Sequence, residues 1–168
     1  MQIRTSTLQD LNQILKLYEN ARDFMANHGN PHQWGTSYPS IALVEQDIAA
    51  GNSYVCEQKG NIIATFYYAN EMEETYANIS AGGWQNDASY GVVHRITSDG
   101  TVRGTAAHCL DWALRQCGNL KIDTHRDNTI MQQLLEKNGF VYCGIIYVEN
   151  GSERLAYQKT LDLSHVVL

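Results

Sequence analysis

The stretch Tyr90–Leu114, YGVVHRITSDGTVRGTAAHCLDWAL, decides the fold. Its first eight residues are mostly apolar and predict a buried strand in the middle of a sheet. Polar residues follow, then the small residues Gly104, Thr105 and Ala106, and then apolar residues at helical spacing. A strand, a tight turn and a helix that begins with small residues can hold a phosphate, because free amides and the positive end of the helix face the turn. The same pattern also fits an ordinary turn that contains a glycine.

Two common phosphate-binding motifs are absent from the sequence. It contains no G-x-x-x-x-G-K-S/T, which excludes a P-loop ATPase. It also contains no G-x-G-x-x-G, which excludes a dinucleotide-binding fold. A phosphate held by the turn after YGVVHRIT would therefore belong to another class of ligand.

Length and composition predict a single domain that spans residues 1–168. About 43% of the residues are hydrophobic, which is enough for a sizeable core. A formal net charge of −6 and a pI of about 5.4 disfavour nucleic acid as a partner, since such proteins usually carry a basic face. No apolar run approaches the ~18 residues of a membrane span, and the N-terminal MQIRTSTLQDL lacks the apolar segment of a signal peptide. We therefore expect a cytoplasmic protein without a membrane partner.

The cysteines and histidines do not predict a metal site. No two cysteines form a C-x-x-C pair, and each lies among apolar residues, so we expect reduced core residues. His28 and His32 are four residues apart, but Gly29 and Pro31 interrupt the helix that would bring them together. The four cysteines are Cys56, Cys109, Cys117 and Cys143.

Hydrophobic periodicity and turn residues predict an α+β fold of about seven strands and four helices, in the order β-α-α-β-β-β-α-β-α-β-β. The strand YGVVHRIT, the helix from Ala106 and the strand LKIDTH form one βαβ unit, whose strands should be parallel. The other neighbours read as hairpins, with turns at Lys59-Gly60 and Asn150-Gly151, so the sheet should be mixed. The predicted helix starts follow Thr7, Ser40, Gly104 and Asp127.

The element order and two motifs resemble the GNAT superfamily of N-acetyltransferases over nearly the whole chain. The segment Thr101–Ala106 is similar to the family's Q/R-x-x-G-x-G/A loop, whose amides hold the pyrophosphate of acetyl-CoA. Thr101 departs from the usual Gln or Arg, although Arg103 could supply a positive charge. The segment Asn128–Phe140, NTIMQQLLEKNGF, is similar to the family's N-x-x-A-x-x-L-Y-E-K-x-G-F. The two motifs occur in the family's order, about 20 residues apart.

The resemblance implies a GNAT-like twisted sheet in which the fourth and fifth strands are parallel and splay apart to admit acetyl-CoA. It implies an N-acetyltransferase that passes the acetyl group directly, in a ternary complex, to a primary amine of a small molecule or peptide. The alternative is a non-catalytic acyl-CoA-binding sensor of the same fold. No metal is implied, and a homodimer is compatible with the resemblance. The implied cofactor-binding residues are Arg95, Ile96, Thr97, Thr101, Val102, Arg103, Gly104, Thr105, Ala106 and Asn128.

Acetyl transfer from a thioester requires removal of a proton from the amine and stabilisation of the departing thiolate. For the base we favour His94, because an imidazole suits proton removal near neutral pH and one buried in an apolar strand must find partners. The alternative is a core histidine that is hydrogen-bonded to a neighbour. Strict alternation would place His94 and Arg95 on opposite faces of the sheet. The alternative bases are Glu73, Glu74 and His125.

The family's usual acid, a Tyr on the last helix, is replaced by Leu135 in this sequence. Either Tyr142 or Tyr147 supplies the proton, of which we select Tyr142, or the thiol leaves without an acid. Three aromatic residues in irregular segments, Trp34, Tyr38 and Trp84, either close the core or line the acceptor pocket. The resemblance favours Trp34 and Tyr38, because the segment between the first two helices borders the acceptor site in this family.

Overall fold

The structure is a computed structural model that describes residues 1–161, and it confirms the predicted element order. The strands are β1 (Gln2–Thr5), β2 (Ser53–Gln58), β3 (Asn61–Ala69), β4 (Gly91–Ser98), β5 (Asn119–Thr124), β6 (Val141–Tyr147) and β7 (Glu153–Thr160). The helices are α1 (Leu11–Asn27), α2 (Ile41–Ala49), α3 (Thr105–Cys117) and α4 (Thr129–Lys137). Short 3-10 turns cover Leu8–Asp10 and Glu74–Tyr76.

The strands form one mixed sheet in the order β1-β2-β3-β4-β5-β7-β6. All neighbours are antiparallel except β4 and β5, which α3 connects as a parallel βαβ crossover. The pairing of β4 with β5 consists of Gly91 with Leu120 and Val92 with Lys121. Beyond Val92 the two strands separate, so the predicted splay is confirmed and leaves a gap in the middle of the sheet.

The two faces of the sheet are covered by different elements. Helices α3 and α4 pack on one face, which we call the α3–α4 face, against residues such as Val93 and Ile122. Helices α1 and α2 cover part of the other face, which we call the α1–α2 face, through Ile14, Val44 and Val55. The irregular segment 70–90 covers the remainder of that face and buries Tyr76 against the sheet.

Local signals in the sequence account for most of the turns. The Ser40 hydroxyl caps α2 by accepting a hydrogen bond from the Leu43 amide at 3.1 Å, as predicted. The cap of α4 is Asn128, which accepts from the Met131 amide at 3.1 Å, so the prediction of Asp127 is wrong by one residue. The turn 59–60 is the expected two-residue hairpin, whereas β6 and β7 are joined by the longer loop 148–152.

All four cysteines are free thiols; Cys117 is half-buried and the others are buried. Within residues 1–161, no helix is long and apolar enough to cross a membrane. In the same range, no group of three His, Cys, Asp or Glu side chains is arranged to hold a metal ion.

Candidate active site

A cleft of about 790 Å³ occupies the gap between β4 and β5 and reaches both faces of the sheet. Its α3–α4 half is mostly apolar, with one hydroxyl and one amide. Its α1–α2 half is polar and charged. The α3–α4 half is lined by Val93, Ile96, Ile122, Thr124, Asn128 and Met131. The α1–α2 half is lined mainly by Trp34, Tyr38, Asp47, Tyr67, Glu71, Glu73, His94, Arg95, Asp123 and Arg154.

A β-bulge in β4 determines which side chains enter the polar half. Pairing with β3 shifts between Tyr67–His94 and Thr65–Thr97, so an extra residue is accommodated in β4. Arg95 lies at this point with φ +53°, a left-handed conformation that is uncommon for residues other than glycine. His94 and Arg95 both lie against the Tyr67 ring, so the predicted alternation to opposite faces is wrong. The bulge places both side chains on the α1–α2 face.

His94 pairs with a carboxylate from the irregular segment that covers this face. Its Nε2 lies 3.1 Å from Oε2 of Glu73, and both side chains are about three-quarters buried. Thr75 fixes the other Glu73 oxygen, since its hydroxyl donates to Oε1 at 3.0 Å and its amide donates at 3.3 Å. The hydrogen bond from His94 holds the pKa of Glu73 at about 2, well below its ordinary value. Glu73 is therefore an anion that orients the imidazole.

Both terminal nitrogens of the Arg95 side chain bind protein partners, whereas its buried Nε has no hydrogen-bond partner within residues 1–161. Its Nη2 donates to Oδ2 of Asp47 at 2.6 Å, and its Nη1 donates to the Tyr38 hydroxyl at 3.1 Å. These contacts join β4 to α2 and to the segment that follows α1. We therefore expect any contact of Arg95 with acetyl-CoA to come from its main chain.

A second carboxylate group lies across the cleft from His94. Tyr76 is buried, and its hydroxyl donates to Oδ2 of Asp123 at 2.7 Å, while its ring lies 6.3 Å from that of His94. Burial and the nearby Asp123 raise the pKa of Tyr76 well above its ordinary value, so its proton stays in place. With Glu149 and Glu71, five carboxylates line the cleft against two arginines. This excess of negative charge favours a cationic ligand in the polar half.

The turn before α3 has the geometry of an anion-binding helix start. Gly104 caps the helix with φ +81°, and a Cβ built at this position would meet no atom within 4 Å. The first helical hydrogen bond runs from the His108 amide to the Gly104 carbonyl, so the amides of the preceding residues lie ahead of the helical ladder. The Thr105 hydroxyl folds back onto the Val102 carbonyl at 2.7 Å and leaves these amides uncovered. The Thr101 side chain is bound by Asp99.

Two features of the gap fit an extended acyl-thioester ligand. Among residues 1–161, no strand pairs beyond Val92 with the edge of β4 that faces β5, so the main-chain groups of this edge can pair with a ligand. The Thr124 hydroxyl lines the α3–α4 half, is fully buried and has no hydrogen-bond partner among residues 1–161. A buried orphan hydroxyl carries a free-energy penalty that a ligand would remove.

The structure brings six of the predicted site residues to the cleft: Trp34, Tyr38, His94, Arg95, Ile96 and Asn128. The segment Thr101–Ala106 lies beyond the end of β4, and Thr97 lies on β4 towards that end. Trp84 does not line the cleft, because its indole is held against Tyr76 and the Lys121 ammonium. Tyr142 does not line it either: it lies on the edge strand β6, 45% exposed, with its ring edge-on to Tyr157.

Leu135 occupies the position on α4 at which the GNAT superfamily usually carries its tyrosine acid, and this position does not face the cleft. Leu135 is fully buried in the α3–α4 core. Tyr147, the alternative to Tyr142, is 50% exposed on β6 and also lies outside the cleft lining. The described part of the chain therefore brings neither tyrosine of β6 to the gap.

The geometry can be compared with solved structures of known proteins. An acetyltransferase of the GNAT family from Streptococcus agalactiae 2603 shares 32% sequence identity with the chain and superposes with a TM-score of 0.88, covering 96% of this chain and 95% of that one. The chain belongs to the GNAT family. A Staphylococcus aureus Mu50 protein is 27% identical over 96% of this chain and 100% of its own, with a TM-score of 0.71. No protein-family model and no curated protein matches the sequence.

A GNAT acetyltransferase from Listeria monocytogenes 4b F2365 shares the fold at 17% identity, with a TM-score of 0.70 over 95% of this chain and 94% of that one. Membership in the GNAT family confirms the resemblance seen in the sequence and makes acetyl transfer the general activity. The family as a whole uses acetyl-CoA. Sequence reasoning named Glu73 as an alternative base but missed its pairing with His94, because the two residues are 21 positions apart and most of the irregular segment 70–90 lies between them.

Proposed function

We propose that this GNAT protein transfers the acetyl group of acetyl-CoA to a primary amine, directly and within a ternary complex. The observation that carries the proposal is the His94–Glu73 pair at the point where β4 and β5 separate. A fixed imidazole beside a gap that admits a thioester is the arrangement that amine acetylation requires.

Acetyl-CoA would occupy the α3–α4 half of the cleft and the turn before α3. The amides at the start of α3 would hold its pyrophosphate, with Arg103, which makes no ion pair within residues 1–161, beside them. The extended pantetheine arm would pair with the free edge of β4 at residues 95–97. Asn128 and the Thr124 hydroxyl would face the thioester end from α4 and β5.

His94 would remove the proton that converts the entering ammonium into the attacking amine. The second proton leaves the nitrogen as the tetrahedral intermediate collapses, and it passes to the departing thiolate or to solvent. Because the Glu73 carboxylate can only accept, the imidazole would donate its Nε2–H to Glu73, and in its neutral form it would carry the lone pair on Nδ1. No group within residues 1–161 hydrogen-bonds this Nδ1, so it is available to an amine or to a bridging water. Glu73 also stabilises the imidazolium that forms when the proton arrives.

The acceptor would enter from the α1–α2 face as an ammonium. The carboxylates of that half attract a cation, and the aromatic rings of Trp34 and Tyr38 form part of the wall. Within residues 1–161, neither tyrosine of β6 reaches the gap to protonate the departing thiolate, and Tyr67, which lines the polar half, already donates its hydroxyl proton to Glu71 at 2.6 Å. Since a thiol has an ordinary pKa of about 8.5, the thiolate can leave without a proton donor when the Thr124 hydroxyl or main-chain amides solvate it.

The test is release of CoA thiol from acetyl-CoA across a panel of primary amines, with wild type and His94→Gln. Gln keeps hydrogen-bonding capacity towards Glu73 but cannot accept the amine proton. We expect the substitution to lower kcat/KM by about 10²–10⁴-fold near pH 7, the usual contribution of a general base. The loss should shrink as pH rises, because more of the amine is then already neutral.

The two failures of this test have different meanings. A His94→Gln loss below about threefold at an unchanged melting temperature would remove His94 from the base role. Binding of acetyl-CoA without turnover of any amine would instead favour an acyl-CoA sensor, a reading that the buried Leu135 at the usual acid position supports.

A further inference from the structure

One cation in the cleft has no role in the mechanism above. Arg154 lies at the start of β7, lines the α1–α2 half, and has a side chain that is 10% exposed. Its Nη1 donates to the Glu153 carbonyl at 3.1 Å, and its Nε lies 4.0 Å from Oδ1 of Asp123, which is too far for a hydrogen bond. A guanidinium has five N–H donors, so most of those on Arg154 have no protein acceptor within residues 1–161.

The cleft end at Arg154 combines this guanidinium with the carboxylates of Asp123 and Glu149. His32 also lines the cleft, and His125 is the residue that directly follows β5. Burial and the nearby Arg154, followed by smaller effects of His32 and Arg126, lower the pKa of the His125 imidazole. Arg126 forms a surface ion pair with Glu153, in which its Nη2 donates to Oε2 at 2.9 Å. Arg154 is therefore the cation that can act on a ligand at this end.

The two ends of the polar half present different charged groups to a ligand: Glu73 with His94 at one end, and the Arg154 guanidinium at the other. Tyr76 separates them, with its hydroxyl on Asp123 beside Arg154 and its ring against His94. The end at Glu73 and His94 suits an ammonium that is about to lose a proton. The end at Arg154 presents the planar donor array that matches a carboxylate.

We infer that the acceptor is a zwitterion, a free amino acid whose amine lies at His94–Glu73 and whose carboxylate is bound by Arg154. This inference rests on the proposed function and names its substrate class. A single arginine flanked by Asp123 and Glu149 suits a monoanion better than the dianion of a phosphate. The two carboxylates repel a ligand in proportion to its charge, so a phosphate dianion is repelled about twice as strongly as a carboxylate, which also matches the planar guanidinium with two parallel hydrogen bonds.

The experiment compares each amino acid with its uncharged primary amide as acceptor, using acetyl-CoA and thiol release. We expect wild type to prefer the acid, and Arg154→Gln to raise KM for the acid by about 10- to 100-fold, the range for a hydrogen bond to a charged group, with kcat and the amide little changed. Arg154→Lys, which keeps the charge but not the fork, should lie between them. Arg126→Gln is the matched control and should behave as wild type. Melting temperatures establish that each variant is folded.

Equal use of acids and amides, or a better acceptor without a carboxylate, would overturn the inference and leave the proposed function standing. A preference for an aminoalkyl phosphate over the corresponding amino acid would overturn the carboxylate assignment. If no amine is acetylated, the proposed function fails, and calorimetric titration of amino acids into the acetyl-CoA-saturated protein decides the inference. Binding that needs both the carboxylate and Arg154 supports it, and binding that needs neither, or no binding, overturns it.

Discussion

Replacing Gly104 by Val should abolish acetyl-CoA binding. It should lower the free energy of unfolding by no more than the matched substitution Gly118→Val does. Gly104 and Gly118 lie at the two ends of α3, with φ of +81° and +72°. A Cβ at either position would meet no atom within 4 Å, so neither substitution creates a clash within the described structure. Gly104→Val and Gly118→Val therefore share the same backbone penalty and differ in their distance from the proposed pyrophosphate site.

The magnitudes follow from these angles. A non-glycine residue in the left-handed region costs roughly 1–2 kcal/mol, and β-branching adds to this. For a chain of this size, each kcal/mol lowers the melting temperature by about 2–4 °C. Both variants should thus melt some 2–8 °C below wild type without ligand. Acetyl-CoA at 100 times its Kd stabilises wild type by about 2.7 kcal/mol, which corresponds to an upward shift of roughly 5–11 °C.

The assay is thermal unfolding of wild type and both variants, with and without saturating acetyl-CoA. We expect Gly118→Val to keep the ligand-induced shift and Gly104→Val to lose it, because the valine methyl groups would occupy the space in front of the α3 amides. If both variants keep the full shift, the pyrophosphate does not lie at this turn. If wild type itself shows no shift, acetyl-CoA binding by this chain is refuted.

Further predictions concern single polar groups of the cleft. The pKa of Glu73 is about 2 in the folded protein against an ordinary value of 4.5, so its contribution is present above about pH 5 and lost as pH falls towards 2. Glu73→Gln should therefore reduce the acid-induced loss of unfolding free energy by up to about 3 kcal/mol, measured by denaturant titration, while Glu74→Gln at the exposed neighbouring position should not. Thr124→Val should raise the unfolding free energy of the ligand-free protein by about 1 kcal/mol, since it removes an orphan buried hydroxyl, and should lower affinity for acetyl-CoA in calorimetry. A Thr124→Val protein that is destabilised and binds acetyl-CoA normally would contradict this use of the hydroxyl.

Most of the fold could be predicted from the sequence, because its signals are local. Apolar periodicity, the Ser40 cap, the Lys59-Gly60 turn and the strand–turn–helix around Gly104 each act within a few residues. The parallel pairing of β4 and β5 follows from the single crossover between them. The small error at the cap of α4 arose because Asp127 and Asn128 are both good capping residues, and sequence does not rank them.

The site was predicted less completely, because its contacts join distant segments. Glu73 meets His94 only after the segment 70–90 has folded over the sheet, and Tyr76 reaches Asp123 across 47 residues. Nothing in the sequence around these residues specifies such pairing. Tyr142 and Trp84 were predicted to belong to the site but do not line the cleft. Tyr142 packs against Tyr157 on an edge strand, and Trp84 makes a cation–π contact with Lys121.

The bulge in β4 explains why the predicted alternation of His94 and Arg95 to opposite faces of the sheet is wrong. A regular strand would send Arg95 to the α3–α4 face, where the cleft is apolar and no carboxylate lines it. The extra residue instead turns Arg95 towards Asp47 and Tyr38 and keeps His94 beside Glu73. The left-handed conformation is unfavourable for an arginine, and it is the conformation in which the Arg95 guanidinium makes its buried 2.6 Å ion pair with Asp47. The backbone strain and the placement of both side chains thus have one cause, the register shift between β3 and β4 next to the gap where acetyl transfer would occur.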